Sequence, residues 1–563
     1  MLLEDICVLM RTRRKSEEIF PDEIFLDSSN LPHFDTQQFE GRIERAISKR
    51  AIYALAAVIG LCTLGFVYRL GDLQIARGQT FRTRSEQNSL RELPILTERG
   101  VIYDRNKTLL AWNDPNAGRK YLELDGLASV VGYLGKPNQD EQDKLPVADD
   151  RIRVGKTGIE AQYDKTLQGE IGVKIEEVDV TGATLSENVA VSPTDGASLN
   201  LAIDSKLVTK LYDAIASVAG ERDFTGGAGV IMDVRTGEIV AMTSYPEVPL
   251  SIFSGTTTSS EINGYLKDGR NPFLNRAVGG LYTPGSIVKP FVALAALKEK
   301  IISPEKQILS TGSIKIPNPY VPGAFTVFKD WKAQGWVDMR HALAVSSNVY
   351  FYEIGGGFEG QAGLGINRID KYADMVGMGR VTGIDIPGEA AGTVPSPEWK
   401  KDVFGEDWLL GDTYHTSIGQ YGFQVTPLQM VRMVAAIANG GSLLTPHVAL
   451  PGEIVGQDKL PIAPESFQVV REGMRLGTLE GTGTALNAPY VKFATKTGTA
   501  ELGDTKARVN SWVQGFFPYD SPRYAFAIVM EKGHVGNTIG AAYVARQFFD
   551  WVSVNAPEYF QNK

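Results

Sequence analysis

The segment Pro284-Gly285-Ser286-Ile287-Val288-Lys289 places a lysine three residues after a serine, at the head of an apolar run that continues to Leu297. Pro284-Gly285 breaks the chain, and the spacing predicts a helix over 286–300 with both side chains on one face. A serine hydroxyl is a poor nucleophile at neutral pH and needs a base beside it. A lysine serves as that base when desolvation or a neighbouring cation leaves its amine neutral. The unpaired N–H groups at a helix start also stabilise negative charge that develops nearby.

Taken singly, such short patterns are weak. Ser303-Pro304-Glu305-Lys306 repeats the Ser-x-x-Lys spacing but reads as a turn or cap in a polar stretch. Ser-x-Asn begins at Ser28, Ser186, Ser198, Ser346 and Ser553, and Lys-Thr-Gly begins at Lys156 and Lys496. Order and context select one set: Ser286, then Ser346-Ser347-Asn348, then Lys496-Thr497-Gly498-Thr499. Ser346 follows an apolar stretch, His341 to Val345, where its hydroxyl is suited to relay a proton and Asn348 to bind an amide carbonyl. Lys496 lies in a strand pattern. There Gly498 lets another backbone approach, and an extended peptide would add as a further strand, with Lys496 and Thr497 meeting a carboxylate. The Lys156 copy precedes an acidic helical pattern and reads as a turn.

These groups need a scaffold, and the pattern from Gly226 onward supplies one. GVIMDVRTGEIVAMTS reads as a hairpin about Arg235-Thr236-Gly237, a helix is predicted over Pro427–Asn439, and FATKTGTAE, SWVQGFFP and YAFAIVMEKG read as strands. Helices segregated against a mostly antiparallel sheet make an α+β domain. Before it, Asp204 caps a helical run, Ser205 to Val218, with Leu207, Val208, Leu211 and Ile215 at helical spacing. Residues 71–200 read as an irregular, extended module with recurrent turns and a strand at Val173–Val178.

The ordered motifs resemble those of the penicillin-recognising serine acyltransferases. Beyond them, RGVIYDRNKTLLAWN (Arg99–Asn113) and GKTGIEAQYDKTLQG (Gly155–Gly169) look like the pedestal signatures of class B penicillin-binding proteins. FKDWKAQGWVDM, PSPEWK, WLLGDTYHTSIGQ and VTPLQM look most like the penicillin-binding protein 2 subfamily, the elongation-type transpeptidases. The resemblance covers about residues 70–550 and implies a penicillin-binding, serine β-lactamase-like transpeptidase domain (201–563) on a pedestal domain (71–200). It implies Ser286 as acylated nucleophile, Lys289 as base, Ser346 and Asn348 in relay and amide binding, and Lys496, Thr497 and Gly498 holding the substrate. The N–H groups of Ser286 and Thr499 would form the oxyanion hole. The implied reaction is a ping-pong cross-linking of stem peptides ending in D-Ala-D-Ala, blocked by β-lactams, with residual carboxypeptidase activity and no cofactor. A SEDS-type glycan polymerase is the partner implied by analogy. Two departures stand out. Only about 20 residues separate Asn113 from the Val131–Gly135 run, so most of the pedestal's head is expected to be missing; and Tyr421 stands where the family has glycine, which predicts an altered loop.

The chain has 563 residues, 43% hydrophobic and 22% charged, enough for three or four domains. A net charge of −9 argues against a nucleic-acid binder, and two cysteines, Cys7 and Cys62, exclude a disulfide scaffold. Ala51 to Tyr68 carries no charge and at 1.5 Å per residue makes a helix of about 27 Å, close to a bilayer core. Arg42, Arg45, Lys49 and Arg50 precede it, so the expected arrangement is a cytoplasmic tail (1–50), one span (51–70) and a catalytic domain outside the plasma membrane. The five histidines have no ligand-like spacing, and no metal is expected.

Rival readings remain at this level. A β-lactamase shares the motifs but usually lacks an anchor and pedestal. Residues 71–200 are too few for a bifunctional enzyme's glycosyltransferase. A binding-only sensor has little use for an intact Ser286, Lys289, Ser346 and Lys496. The nearest rival is a division-type (septal) class B transpeptidase, against which the Trp331 and Trp399–Gly411 signatures speak.

Overall fold

The computed structural model describes residues 48–82, 90–115, 118–146, 149, 151–178, 183–253, 259–451, 458–503 and 505–561, in two compact units divided at Ser89 and Leu90. The expected tail, with Cys7, Arg42 and Arg45, lies outside the described residues.

In the first unit, α1 (Lys49–Gly71) starts at Ser48, whose hydroxyl accepts from Ala51 N at 3.2 Å. None of its residues is buried, although it is apolar on every side. It is long and apolar enough to cross a membrane.

The second unit opens with a three-stranded antiparallel sheet, β1 (Leu90–Ile95), β5 (Gly172–Val178) and β6 (Thr184–Val191), in the order β1-β5-β6. Between them in sequence lie β2 (Ile102–Tyr103), β3 (Leu109–Asp114) and β4 (Gly118–Tyr121), and after them β7 (Leu199–Leu201). These last four form one sheet, and its outer strand is the distant pair Ala449–Leu450 beside β7. The two pedestal-like motifs meet here. Arg99 Nε donates to Glu160 Oε2 at 2.7 Å, Arg119 Nε to Glu160 Oε1 at 2.8 Å, and Arg99 Nη2 lies 2.8 Å from Asp164 Oδ1. Glu160 is fully buried, and the two guanidinium groups satisfy both of its oxygens.

The larger part is built on an antiparallel sheet of β8 (Gly226–Asp233), β9 (Ile239–Tyr245), β10 (Ala494–Leu502), β11 (Arg508–Phe517) and β12 (Tyr524–His534), in the order β9-β8-β12-β11-β10. The helices used below are α2 (Ser205–Arg222), α3 (Lys289–Lys298), α4 (Met339–Ala344), α5 (Asn348–Gly356), α6 (Pro427–Ala438), α7 (Pro464–Leu479) and α8 (Ala541–Asn555). Asp204 caps α2 as expected, accepting from Lys206 N and Leu207 N, and buries Leu207, Val208, Leu211 and Ile215 against the sheet. Every residue of α6 is buried, and its start is fixed by a Thr426–Gln429 capping box with Pro427 in the first turn. Ser303–Lys306 forms a turn, and Lys156 sits ahead of the short helix Gly158–Gln162, paired with Glu141.

Replacing Glu160 by alanine removes the carboxylate that Arg99 and Arg119 share, leaving Arg99 with Asp164 and Arg119 without that acid, and is expected to destabilise the second unit by about 3–5 kcal/mol. The urea unfolding midpoint reads this; a loss below about 1 kcal/mol would show that the pair behaves as a hydrated surface bridge.

Candidate active site

The serine turn differs from a simple α-helix start. Gly285–Val288 is a 3₁₀ turn, and α3 begins only at Lys289. The cause is Pro290, which has no N–H to give the carbonyl of Ser286 four residues back, so Lys289 N takes that carbonyl instead. With three residues per turn, Ser286 and Lys289 line up along one edge. Surrounding elements hold the turn from outside. Gly285 N donates to Gly419 O (2.9 Å), Gln514 Nε2 to Ile287 O (2.7 Å) and Trp512 Nε1 to Thr283 O (3.0 Å). Gly285 has φ +59°, and a Cβ there would lie 2.9 Å from Thr499 O; a Cβ on Gly498 would lie 2.9 Å from Pro284 O. Two glycines thus let β10 and the serine turn touch backbone to backbone.

Ser346 occupies the break between α4 and α5 with φ +58°, a left-handed conformation that costs a non-glycine residue about 1–2 kcal/mol. Ser347 caps α5 by accepting from Tyr350 N at 3.3 Å. The Lys289 ammonium reaches across to this break. Its Nζ donates to Ser346 O (2.8 Å), Ser346 Oγ (3.3 Å) and Asn348 Oδ1 (2.7 Å). From the opposite side Lys496 Nζ donates to the same Ser346 Oγ (2.8 Å) and to Thr497 O (2.8 Å). Thr497 Oγ1 donates to Thr482 Oγ1 at 2.6 Å.

Lys289 is 0% and Lys496 1% exposed. Burial lowers the Lys289 pKa to about 7, against the opposing pull of the Asp330 carboxylate. Burial also drives Lys496 well down, and the charge of Lys289 drives it further. Two amines on one hydroxyl cannot both hold a proton cheaply, so at neutral pH the site keeps a free base within reach of the serine turn. A hydroxyl accepting from both lysines still has one proton to give, which suits a relay.

Lys289, Ser346, Asn348, Lys496 and Thr497 are therefore joined by direct bonds, and Ser286 and Gly498 by the packing of turn on strand. Thr499 is exposed on β10, the outermost strand of the main sheet, paired with Ser511. Ser303 and Lys156 lie in other surroundings. Tyr421 adopts φ +62°, the conformation a glycine would take, and its ring packs against Trp399 and Trp408 (centroids 5.9 Å from each). Asp330 was not foreseen: its carboxylate accepts from Ser347 Oγ (2.8 Å) and Val349 N (3.0 Å), and only its place in FKDWK signalled it. Among the described residues no group of three metal-ligating side chains is suited to an ion.

A serine one 3₁₀ turn ahead of a buried amine of near-neutral pKa, packed on an edge strand, is suited to serine acyl transfer to or from a peptide. A family model for the penicillin-binding protein transpeptidase domain matches residues 227–550, and one for the penicillin-binding protein dimerisation domain matches 114–201. The peptidoglycan D,D-transpeptidase MrdA of Acinetobacter baumannii is 29% identical over 93% of this chain and 89% of its own length. The crystal structure of Pseudomonas aeruginosa penicillin-binding protein 2 with WCK 5153 superposes with a TM-score of 0.69 at 29% identity, covering 83% of this chain and 98% of that one. A peptidoglycan synthase complex that coordinates polymerisation and crosslinking contains a chain with the same TM-score, 0.69, at 26% identity, covering 90% of this chain and 98% of that one. The chain belongs to the penicillin-binding protein transpeptidase family. Within it the likeness is to class B, and there to penicillin-binding protein 2.

Gly498→Ala would drive its methyl group into Pro284 O and displace the serine turn. Acylation by a fluorescent penicillin is expected to slow at least tenfold while stability falls by about 1–3 kcal/mol. Unchanged acylation would show that turn and strand can separate without loss.

Proposed function

We propose that the site cross-links peptidoglycan stem peptides during cell-wall elongation. One observation carries this reading most: Lys289 and Lys496 converge on the hydroxyl of Ser346, which couples the base next to the nucleophile to the strand that would bind the peptide. Neutral Lys289 takes the proton of Ser286 Oγ as that oxygen attacks the penultimate D-Ala carbonyl. Ser286 N and Thr499 N stabilise the oxyanion. The proton passes through Ser346 to the departing D-Ala amine. An acceptor amine from a neighbouring stem then attacks the ester and releases Ser286. Asn348 holds a substrate amide, and Lys496 with Thr497 and Gly498 holds the terminal carboxylate and backbone along β10. β-Lactams acylate the same serine.

In this reading residues 1–50 are the cytoplasmic tail, 51–70 the membrane span, 71–200 a pedestal without most of its head, and 201–563 the transpeptidase domain outside the cell. A SEDS-type glycan polymerase in the membrane is the partner. Support comes from the apolar α1, the resemblance to penicillin-binding protein 2, and the relative that sits in a synthase complex joining polymerisation to crosslinking.

A fluorescent penicillin should label wild type and Ser303→Ala for hours and leave Ser286→Ala unlabelled. Label that vanishes within seconds would mark a hydrolase, and no label at all would end the acyl-enzyme reading. The acylation rate should also rise about tenfold per pH unit below pH 7 and level above it, because only unprotonated Lys289 accepts the serine proton. A rate independent of pH between 5.5 and 8.5 would remove Lys289 from that role.

A further inference from the structure

Resting on the acyl-transfer reading above, we propose that Lys329-Asp330-Trp331 is a clamp that positions the Ser346 turn, and that Asp330 is its main positioning residue. The segment follows the strand Phe325–Lys329 and runs alongside the whole break between α4 and α5. It bonds to four residues of that stretch. Trp331 Nε1 donates to Val345 O (3.1 Å). Asp330 Oδ2 accepts from Ser347 Oγ (2.8 Å) and Val349 N (3.0 Å), and Lys329 O accepts from Asn348 Nδ2 (3.4 Å). The one residue it skips is Ser346, the left-handed residue, and both neighbours of that residue are held.

The clamp is itself anchored. Asp330 N donates to Gly312 O (2.9 Å) and Asp330 Oδ2 also accepts from Ser310 Oγ (3.1 Å). Trp331 N closes on Asp330 Oδ1 at 2.9 Å, and Tyr352 OH donates to Lys329 O at 3.2 Å. A strained backbone conformation persists only where its surroundings over-determine it, and this is the surrounding that does so for Ser346.

The same carboxylate has a second effect. Four groups face the Lys289 amine: Lys496 from β10, Ser346 and Asn348 from the turn, and the Phe351 ring of α5, whose centroid lies 5.4 Å away. The Asp330 charge acts on Lys289 from beyond them and opposes the effect of burial. Asp330 therefore links the geometry of the relay hydroxyl to the pH at which the base becomes free.

The test compares acylation by a fluorescent penicillin in the full-length protein between pH 5.5 and 9. Variants are Asp330→Asn, Asp330→Ala and Trp331→Phe, with the labelled fraction and thermal midpoint recorded for each. Asp330→Asn keeps an acceptor oxygen but loses the charge, so its rising limb should move to lower pH. Asp330→Ala should move the limb likewise and slow the plateau rate at least tenfold. Trp331→Phe loses only the bond to Val345 and should slow the plateau with no shift of the limb. The clamp is overturned if both Asp330 variants keep the wild-type position of the rising limb on the pH axis and the wild-type plateau rate per labelled site, even when their thermal midpoint or labelled fraction falls; that pattern is a purely structural role. An unlabelled wild type would instead overturn the acyl-enzyme reading, and the clamp with it.

Discussion

Two lysine amines share one serine hydroxyl inside the protein, and most of the architecture around them follows from that constraint. An ammonium group taken out of water is costly unless it is bonded or loses its proton. Here both routes are used. Lys289 has three oxygens around it and Lys496 two, and burial has lowered the affinity of each for a proton. The arrangement works only if the elements carrying the two amines and the hydroxyl are held at fixed distances. Those elements come from three regions of sequence that share no local structure.

The fold fixes them by different means. β10 is fixed by its register with β11, the serine turn by bonds from β11 and from the Ser417–Gly422 loop, and the Ser346 break by the two helices it joins together with the bonds from Lys329–Trp331. Where turn and strand must touch, glycine replaces a side chain. Where the turn must tighten, Pro290 removes a donor. Each device is small, and each acts on backbone geometry. The site is therefore a property of the packed domain, whereas an isolated Ser-x-x-Lys segment such as Ser303–Lys306 forms only a turn.

Much of this was legible in the residues. Period-two and period-3.6 patterns located the strands and α2, and the order of three weak motifs separated the assembled set from its copies at Ser303 and Lys156. Other parts were not legible, for identifiable reasons. The 3₁₀ turn at Ser286 depends on tertiary bonds from Gln514 and Trp512, more than 220 residues away, as well as on Pro290. Asp330 is a single acidic residue in a loop, and its three hydroxyl and amide donors come from two other segments. The meeting of Arg99 with Glu160 was hidden too, although both pedestal motifs were plain, because nothing in either names its partner.

The short strand Ala449–Leu450 carries a consequence for how the chain comes to be folded. It closes the edge of a sheet whose other strands end at Leu201, so that sheet stays incomplete until a segment about 250 residues further on has been made. A chain emerging from the ribosome or a translocon in N-to-C order exposes the β7 edge while about 250 further residues are made, in the state most open to mispairing with another chain. Asp385 then secures the late arrival. Its carboxylate accepts from Val448 N and Ala449 N while also bonding the hydroxyl of Tyr163. This sheet is thus completed only once the chain has been made as far as Leu450, while β10, β11 and β12 of the main sheet are still to come.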